Sequence, residues 1–158
     1  MSKYFLDANF IIAIFREIEV NNELAISNCE KLLLNHECYI SNAVFNEVIT
    51  ILMMRTKDLD LTIKAYYFMK DNLIILNEFE ISNYNENVFE IFKKYNKKTF
   101  KVSFTDCSIV FLYMHYNLDY IVTFDKNFKL FDDINLLKLW RLQTIFELHI
   151  HSFDSLYI

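Results

Sequence analysis

Residues 3–7, Lys-Tyr-Phe-Leu-Asp, and residues 9–16, Asn-Phe-Ile-Ile-Ala-Ile-Phe-Arg, decide the fold. The first is a short apolar run stopped by an acid. The second is a dense apolar stretch too long for a turn, and together they predict a strand followed by a helix. The alternation continues along the chain. Helices are expected over 22–35, where Leu24, Cys29, Leu32 and Leu33 recur at mostly helical spacing, and over 42–55, 59–70, 82–97 and 103–116. Between them lie apolar runs at 37–41 (ECYIS), 72–76 (NLIIL) and 119–123 (DYIVT), with a weaker one at 134–139 (INLLKL). Continuously apolar strands are the kind buried on both faces of a parallel sheet. The pattern predicts an α/β fold: a three-layer sandwich whose central, mostly parallel sheet of about five strands is flanked by helices. A single domain over residues 1–158 is expected, with 140–158 left unassigned.

The 158 residues are 54% hydrophobic and 17% aromatic, with neither Gly nor Pro, which argues against disorder and Gly-rich or Pro-rich linkers. The richness in Asn, Lys, Ile, Phe and Tyr is what AT-rich codons produce. Turns that need a positive φ must then use Asn or Asp, and Asn21-Asn22, Asn35-His36 and Asp132-Asp133 are read as such turns. A net charge of −5 argues against a nucleic-acid binder that works through a broad basic field. It leaves room for a nuclease whose site is itself acidic. Cys29, Cys38 and Cys107 form no CxxC pair, so neither a disulfide framework nor structural zinc is indicated, and a reducing cytoplasm fits. No apolar run approaches the roughly 18 residues of a membrane span.

In open parallel sheets, ligands bind at the carboxyl ends of the strands. Asp7 and Asp125 stand at or just past two such ends, while Glu47 and Asp106 are placed in the first turns of helices that start on or face that edge. An acid beside a buried strand is costly unless something positive meets it, so four converging acids would require cations. Hard oxygen ligands favour magnesium or manganese over zinc. Each acid also has an ordinary alternative: a cap or turn for Asp7, the polar stripe of an amphipathic helix for Glu47, a capping box with Ser103 for Asp106, and a β-turn for Asp125. Asn9 is either a cap or a group orienting Asp7 or a bound water, and the Thr123 hydroxyl stands close enough in sequence to hold Asp125 or a water. Lys93, Lys94, Lys97, Lys98 and Lys101 cluster just ahead of Asp106, a pattern that alone reads as a solvated helix end. His36, His115, His149 and His151 show no ligand spacing.

Taken in order, YFLDAN (4–9), SNAVFNEV (41–48), SFTDCSIV (103–110) and IVTFDKNF (121–128) resemble the PIN-domain family of metal-dependent ribonucleases, which includes the VapC-type toxins of toxin-antitoxin pairs. The resemblance spans residues 3–131. It implies that Asp7, Glu47, Asp106 and Asp125 form a catalytic pocket holding one or two Mg2+ or Mn2+ ions, and that a bound water of lowered pKa attacks the scissile phosphate in line. Asn9, Thr105 and Thr123 then support that pocket, and Lys94, Lys97, Lys98, Lys101 and Lys126 contact RNA phosphates. RNA as substrate, an antitoxin protein and a second copy in a homodimer are the implied partners. The chain departs from the family at Ala8, where Thr or Ser is usual, and at Asn127, where a further acid is frequent. Two rival readings remain. A phosphoryl-transfer enzyme or receiver also places an Asp after its first strand, but the second acid it wants is missing, with Asn9 standing where a haloacid-dehalogenase-type phosphatase has Asp. A catalytically weak or inactive domain of the same fold would serve as a protein-binding or RNA-binding module.

Overall fold

The computed structural model describes residues 1–99 and 101–139, so the unassigned stretch 140–158 lies outside the described residues. Four strands, β1 (Lys3–Leu6), β2 (Glu37–Ser41), β3 (Ile74–Leu76) and β4 (Tyr120–Val122), form one sheet in the order β3-β2-β1-β4, every pairing parallel. Six described helices flank it: α1 (Ala8–Phe15), α2 (Asn22–Asn35), α3 (Asn42–Thr56), α4 (Leu59–Asn72), α5 (Tyr84–Tyr95) and α6 (Phe104–His115). Single 3-10 turns occupy Glu78–Glu80 and Lys126–Leu130. The expected α/β fold is present, with four strands among the described residues where about five were expected.

Residues 134–139 lie beside β4 but form only one bridge to it. Within 134–139 only Leu136 pairs, as one parallel bridge to Ile121, held by Ile121 N–H to the Asn135 carbonyl (2.9 Å) and Leu137 N–H to the Ile121 carbonyl (2.9 Å). The next bond of such a ladder would join Asn135 N–H to the Asp119 carbonyl. Instead the Tyr113 hydroxyl stands between them, accepting from Asn135 N–H (3.2 Å) and donating to Asp119 (3.4 Å), and the ladder stops.

The core forms where the sequence concentrates apolar side chains. Phe5 and Leu6 of β1, Phe10 and Ile11 of α1, and Ile121 and Val122 of β4 are wholly buried. On α3, Val44, Val48 and Leu52 recur every fourth residue, so one helical stripe delivers all three to the interior. Helix α1 packs on α2 and α3, α3 on α4, and α5 on α6. The α5–α6 contact is aromatic, with Tyr84 against Phe111 and Phe92 against Phe104.

Asp132-Asp133 forms a turn as expected, and Asn supplies two of the three positive-φ positions among the described residues, but the left-handed backbone falls outside the anticipated pairs. The positive-φ residues are Lys57 (55°), Asn83 (55°) and Asn117 (49°), none of them in the three anticipated pairs. Asn21 instead caps α2 with φ −100°, and Asn35 ends that helix.

The strand order sets the position of the site. From β1 the chain moves outward through β2 to β3, then returns past β1 to lay down β4. The direction of winding therefore reverses between β1 and β4. The carboxyl ends of those two strands border the crevice where doubly wound sheets bind ligands.

Candidate active site

Asp7 is the first residue beyond β1, and its N–H donates to the Val122 carbonyl (3.0 Å), carrying the β1–β4 register one step past the ladder. Asp7 caps α1, its Oδ1 accepting from Ala8 N–H (2.7 Å), while its Oδ2 accepts from the Thr123 hydroxyl (2.7 Å). Thr123 is the first residue beyond β4. Its oxygen also accepts from Asp125 N–H (2.9 Å) and from Asn9 Nδ2 (3.1 Å), and Asn9 Oδ1 accepts from Phe124 N–H (3.0 Å). The two strand exits are thus stitched together through Asp7, Asn9 and Thr123. Asn9 is not the cap of α1, and the hydroxyl missing at Ala8 has a counterpart in Thr123.

Asp106 lies in the first turn of α6 and completes a capping box: the Ser103 hydroxyl accepts from Asp106 N–H (3.0 Å), and Asp106 Oδ2 accepts from Ser103 N–H (2.7 Å). Asp125 caps the following 3-10 turn, its Oδ1 accepting from Asn127 N–H (2.8 Å). The ordinary roles weighed for these two acids are therefore filled, yet each spends only one carboxylate oxygen on them. Glu47 sits in the second turn of α3, not the first, because that helix begins directly at the end of β2. It makes no hydrogen bond or ion pair among the described residues.

Electrostatics ties the four together. Burial pushes the Asp7 carboxyl from the ordinary 3.8 up to about 7; the bonds from Thr123 and Ala8 oppose this, and the charges of Glu47 and Asp106 add to it. Glu47 is raised by burial and then by Asp106. Asp106 is raised by burial, against the bonds from Ser103, and further by Asp125. Asp7 is buried and the other three are partly so. Repulsion thus joins Asp7 to Glu47 and Asp106, Glu47 to Asp106, and Asp106 to Asp125.

Among the described residues, no three acid, His or Cys side chains are gathered closely enough to hold an ion as they stand. The donor chemistry nevertheless fits a hard divalent cation, since these four side chains present only carboxylate oxygens, several of which take no hydrogen bond among the described residues.

The other anticipated residues divide. Thr105 is held through its carbonyl, which accepts from the Ser108 hydroxyl (2.7 Å), and its own hydroxyl bonds to nothing among the described residues. Lys97, Lys98 and Lys101 are exposed on the connection leading into α6, which is shaped by Asn96 Oδ1 accepting from Lys101 and Val102 N–H (2.6 and 3.2 Å). Lys94 is engaged elsewhere, pairing with Asp133 (3.7 Å) and lying over the Tyr95 ring. Lys126 is exposed directly after Asp125.

One important acid escaped the sequence reading. Glu78 is 2% exposed and accepts from Asn42 N–H (3.0 Å), Ala43 N–H (2.8 Å) and Asn42 Nδ2 (3.2 Å). It anchors the start of the helix that carries Glu47. Its signal was available, since it follows the apolar run NLIIL after one intervening Asn, much as Asp7 follows KYFL.

A model of the PIN domain matches residues 4–134, and the chain belongs to that family. No curated protein matches the sequence. Among solved structures, the chain is similar in fold to VapC20 of Mycobacterium tuberculosis, a toxin that cleaves the sarcin-ricin loop, at 17% identity and TM-score 0.66, covering 80% of this chain and 92% of that one. It is also similar to VapBC2 of Rickettsia felis bound to a promoter DNA fragment, at 18% identity and TM-score 0.67, covering 85% and 97%. FitAcB of Neisseria gonorrhoeae aligns at 16% identity and TM-score 0.61, covering 88% and 99%.

Proposed function

We propose that the protein is a Mg2+- or Mn2+-dependent endoribonuclease that hydrolyses RNA phosphodiesters, acting as the toxin of a toxin-antitoxin pair. The observation that carries this reading is Asp7: a buried acid at the switch point of the sheet, repelled by neighbouring acids and faced by no cation among the described residues of its hydrogen-bond network. Such a cluster is costly for stability and is explained by a cation it serves to bind. Membership of the PIN family and the fold shared with an RNA-cutting toxin support the same conclusion.

In this reading Asp7, Glu47, Asp106 and Asp125 hold the ion or ions. A bound divalent cation supplies Lewis acidity and a water of lowered pKa. Thr123 and Asn9 fix the orientation of Asp7, and Glu78 fixes the helix that presents Glu47. The exposed Lys97, Lys98, Lys101 and Lys126 meet the RNA backbone, and Lys94 joins them once released from Asp133. Thr105, whose hydroxyl has no partner among the described residues, is left to meet the bound ion's water or the RNA. An antitoxin protein, a homodimer and a cytoplasmic setting belong to the same proposal; the similar solved structures include toxin-antitoxin complexes, and no described helix is long and apolar enough to cross a membrane.

The test is RNA cleavage by the purified chain with Mn2+ or Mg2+. Cleavage should disappear with EDTA and fall at least about a hundredfold in Asp106→Asn. Undiminished cleavage by that variant overturns the proposal. Manganese binding without cleavage of any RNA would favour the inactive module instead.

A further inference from the structure

Helices α1 and α3 pack against each other, and each carries a polar residue, an isoleucine and an arginine in the same order along the chain. On α3 these are Glu47, Ile51 and Arg55, one above another at intervals of four. On α1 they are Asn9, Ile12 and, at its C-terminal cap, Arg16. Asn9, Ile12, Glu19, Glu47, Ile51 and Arg55 line one cavity of about 180 Å³. It leads from Glu47 at one end to Arg55 and Glu19 at the other, with Arg16 reaching it only through Glu19, and the eight-residue step from Glu47 to Arg55 spans about 12 Å of helix.

At that far end, both arginines among the described residues converge on Glu19. Arg16 bonds to it directly, and Arg55 lies 3.6 Å from the same oxygen. That separation is beyond hydrogen-bond range, so Arg55 meets Glu19 by charge alone and its guanidinium makes no hydrogen bond among the described residues. Arg55 is 53% exposed and Arg16 14%. Two guanidiniums around one carboxylate leave one positive charge in excess, in a protein whose net charge is −5. A guanidinium fork matches the oxygens of a phosphate better than it matches a single carboxylate oxygen at this distance.

We infer that Arg55, backed by Arg16, binds a phosphate of the RNA strand neighbouring the scissile one, and that Glu19 is the internal anion this phosphate displaces. The inference rests on the ribonuclease reading above and assigns the strand a path along the α1–α3 cavity. Glu19 keeps two like charges together until the strand arrives.

The experiment measures binding of a fluorescent single-stranded RNA by anisotropy at several salt concentrations with Mn2+ present, in an Asp106→Asn background so that the RNA survives. Arg55→Met should weaken binding about tenfold and reduce the slope of log K against log salt by about 0.7, with partial recovery in Arg55→Lys. Glu19→Gln should tighten binding, an effect opposite in sign to that of breaking a merely structural triad. In the active background, Arg55→Met should raise KM more than it lowers kcat. Unchanged affinity and salt slope in Arg55→Met overturn the inference while leaving the ribonuclease reading intact, and so does weaker binding in Glu19→Gln. Absence of cleavage by the otherwise unaltered protein overturns the ribonuclease reading instead, and Arg55-dependent RNA binding would still stand.

Discussion

Replacing Asp7 by Asn should stabilise the metal-free protein, and by an amount that depends on pH. The Asp7 carboxyl is carried from 3.8 to about 7, chiefly by burial, and each tenfold rise in proton affinity corresponds to 1.36 kcal/mol. Between those values the folded protein holds a proton that the unfolded chain releases, so raising the pH favours unfolding. The stability associated with protonated Asp7 is fully present below pH 3.8 and is lost as pH rises to about 7, a total of about 4 kcal/mol. Asn carries no charge and escapes this loss, but it cannot accept on both sides, and the bond from Ala8 or Thr123 is compromised at about 1 kcal/mol. The net expectation is a gain of about 3 kcal/mol at pH 8, shrinking to nothing or to a slight loss near pH 4. Urea unfolding followed by circular dichroism in EDTA, at both pH values, measures it. With saturating Mn2+ the order should reverse at pH 8, because only the wild type retains the full ligand set. A stability difference that does not change between pH 4 and pH 8 would refute the reasoning.

Other expectations follow from the same structure. Glu78→Ala leaves the N–H groups of Asn42 and Ala43 without their buried acceptor and should cost about 3 kcal/mol in urea unfolding, which a surface acid would not. Burial pushes Cys29 and Cys38 up to about 12 and Cys107 up to about 11, so none should react with a thiol reagent at pH 8 until denaturant is added. Rapid labelling of the native protein would contradict their burial.

Most of the architecture was legible because its determinants are local. Lys3–Leu6 and Glu37–Ser41 are apolar runs bounded by polar residues, and α2 was read at its full extent, Asn22–Asn35. The weak strand expected at 134–139 is reduced to one parallel bridge beside β4, and on its Asn135 side the next bond is taken by a Tyr113 hydroxyl contributed by another element. No window of sequence contains that competition. Left-handed turns were misplaced for a related reason: Lys57 takes a positive φ because α3 must end and α4 begin within two residues, whatever its propensity.

At the site, Asp7 and Asp125 could be placed because strand ends define the binding edge, whereas the link between them through Thr123 depends on β4 lying beside β1. The Glu19 contacts were hidden because they join a loop to the ends of two helices, and Glu78 because one buried acid looks like a turn acid until its donors are known. Thr105 was grouped with the supporting residues from its position beside Asp106, yet its hydroxyl finds no partner there among the described residues.

The central claim is that four acids from separate segments hold divalent metal at the β1–β4 edge. It is tested most directly by a crystal structure of the manganese-loaded protein with anomalous scattering measured for the ion. One peak, or two about 4 Å apart, is expected, bonded to carboxylate oxygens of Asp7, Asp106, Asp125 and Glu47. A manganese-loaded crystal with no peak at that edge, or with these carboxylates still turned to their caps and the ion bound elsewhere, would contradict it.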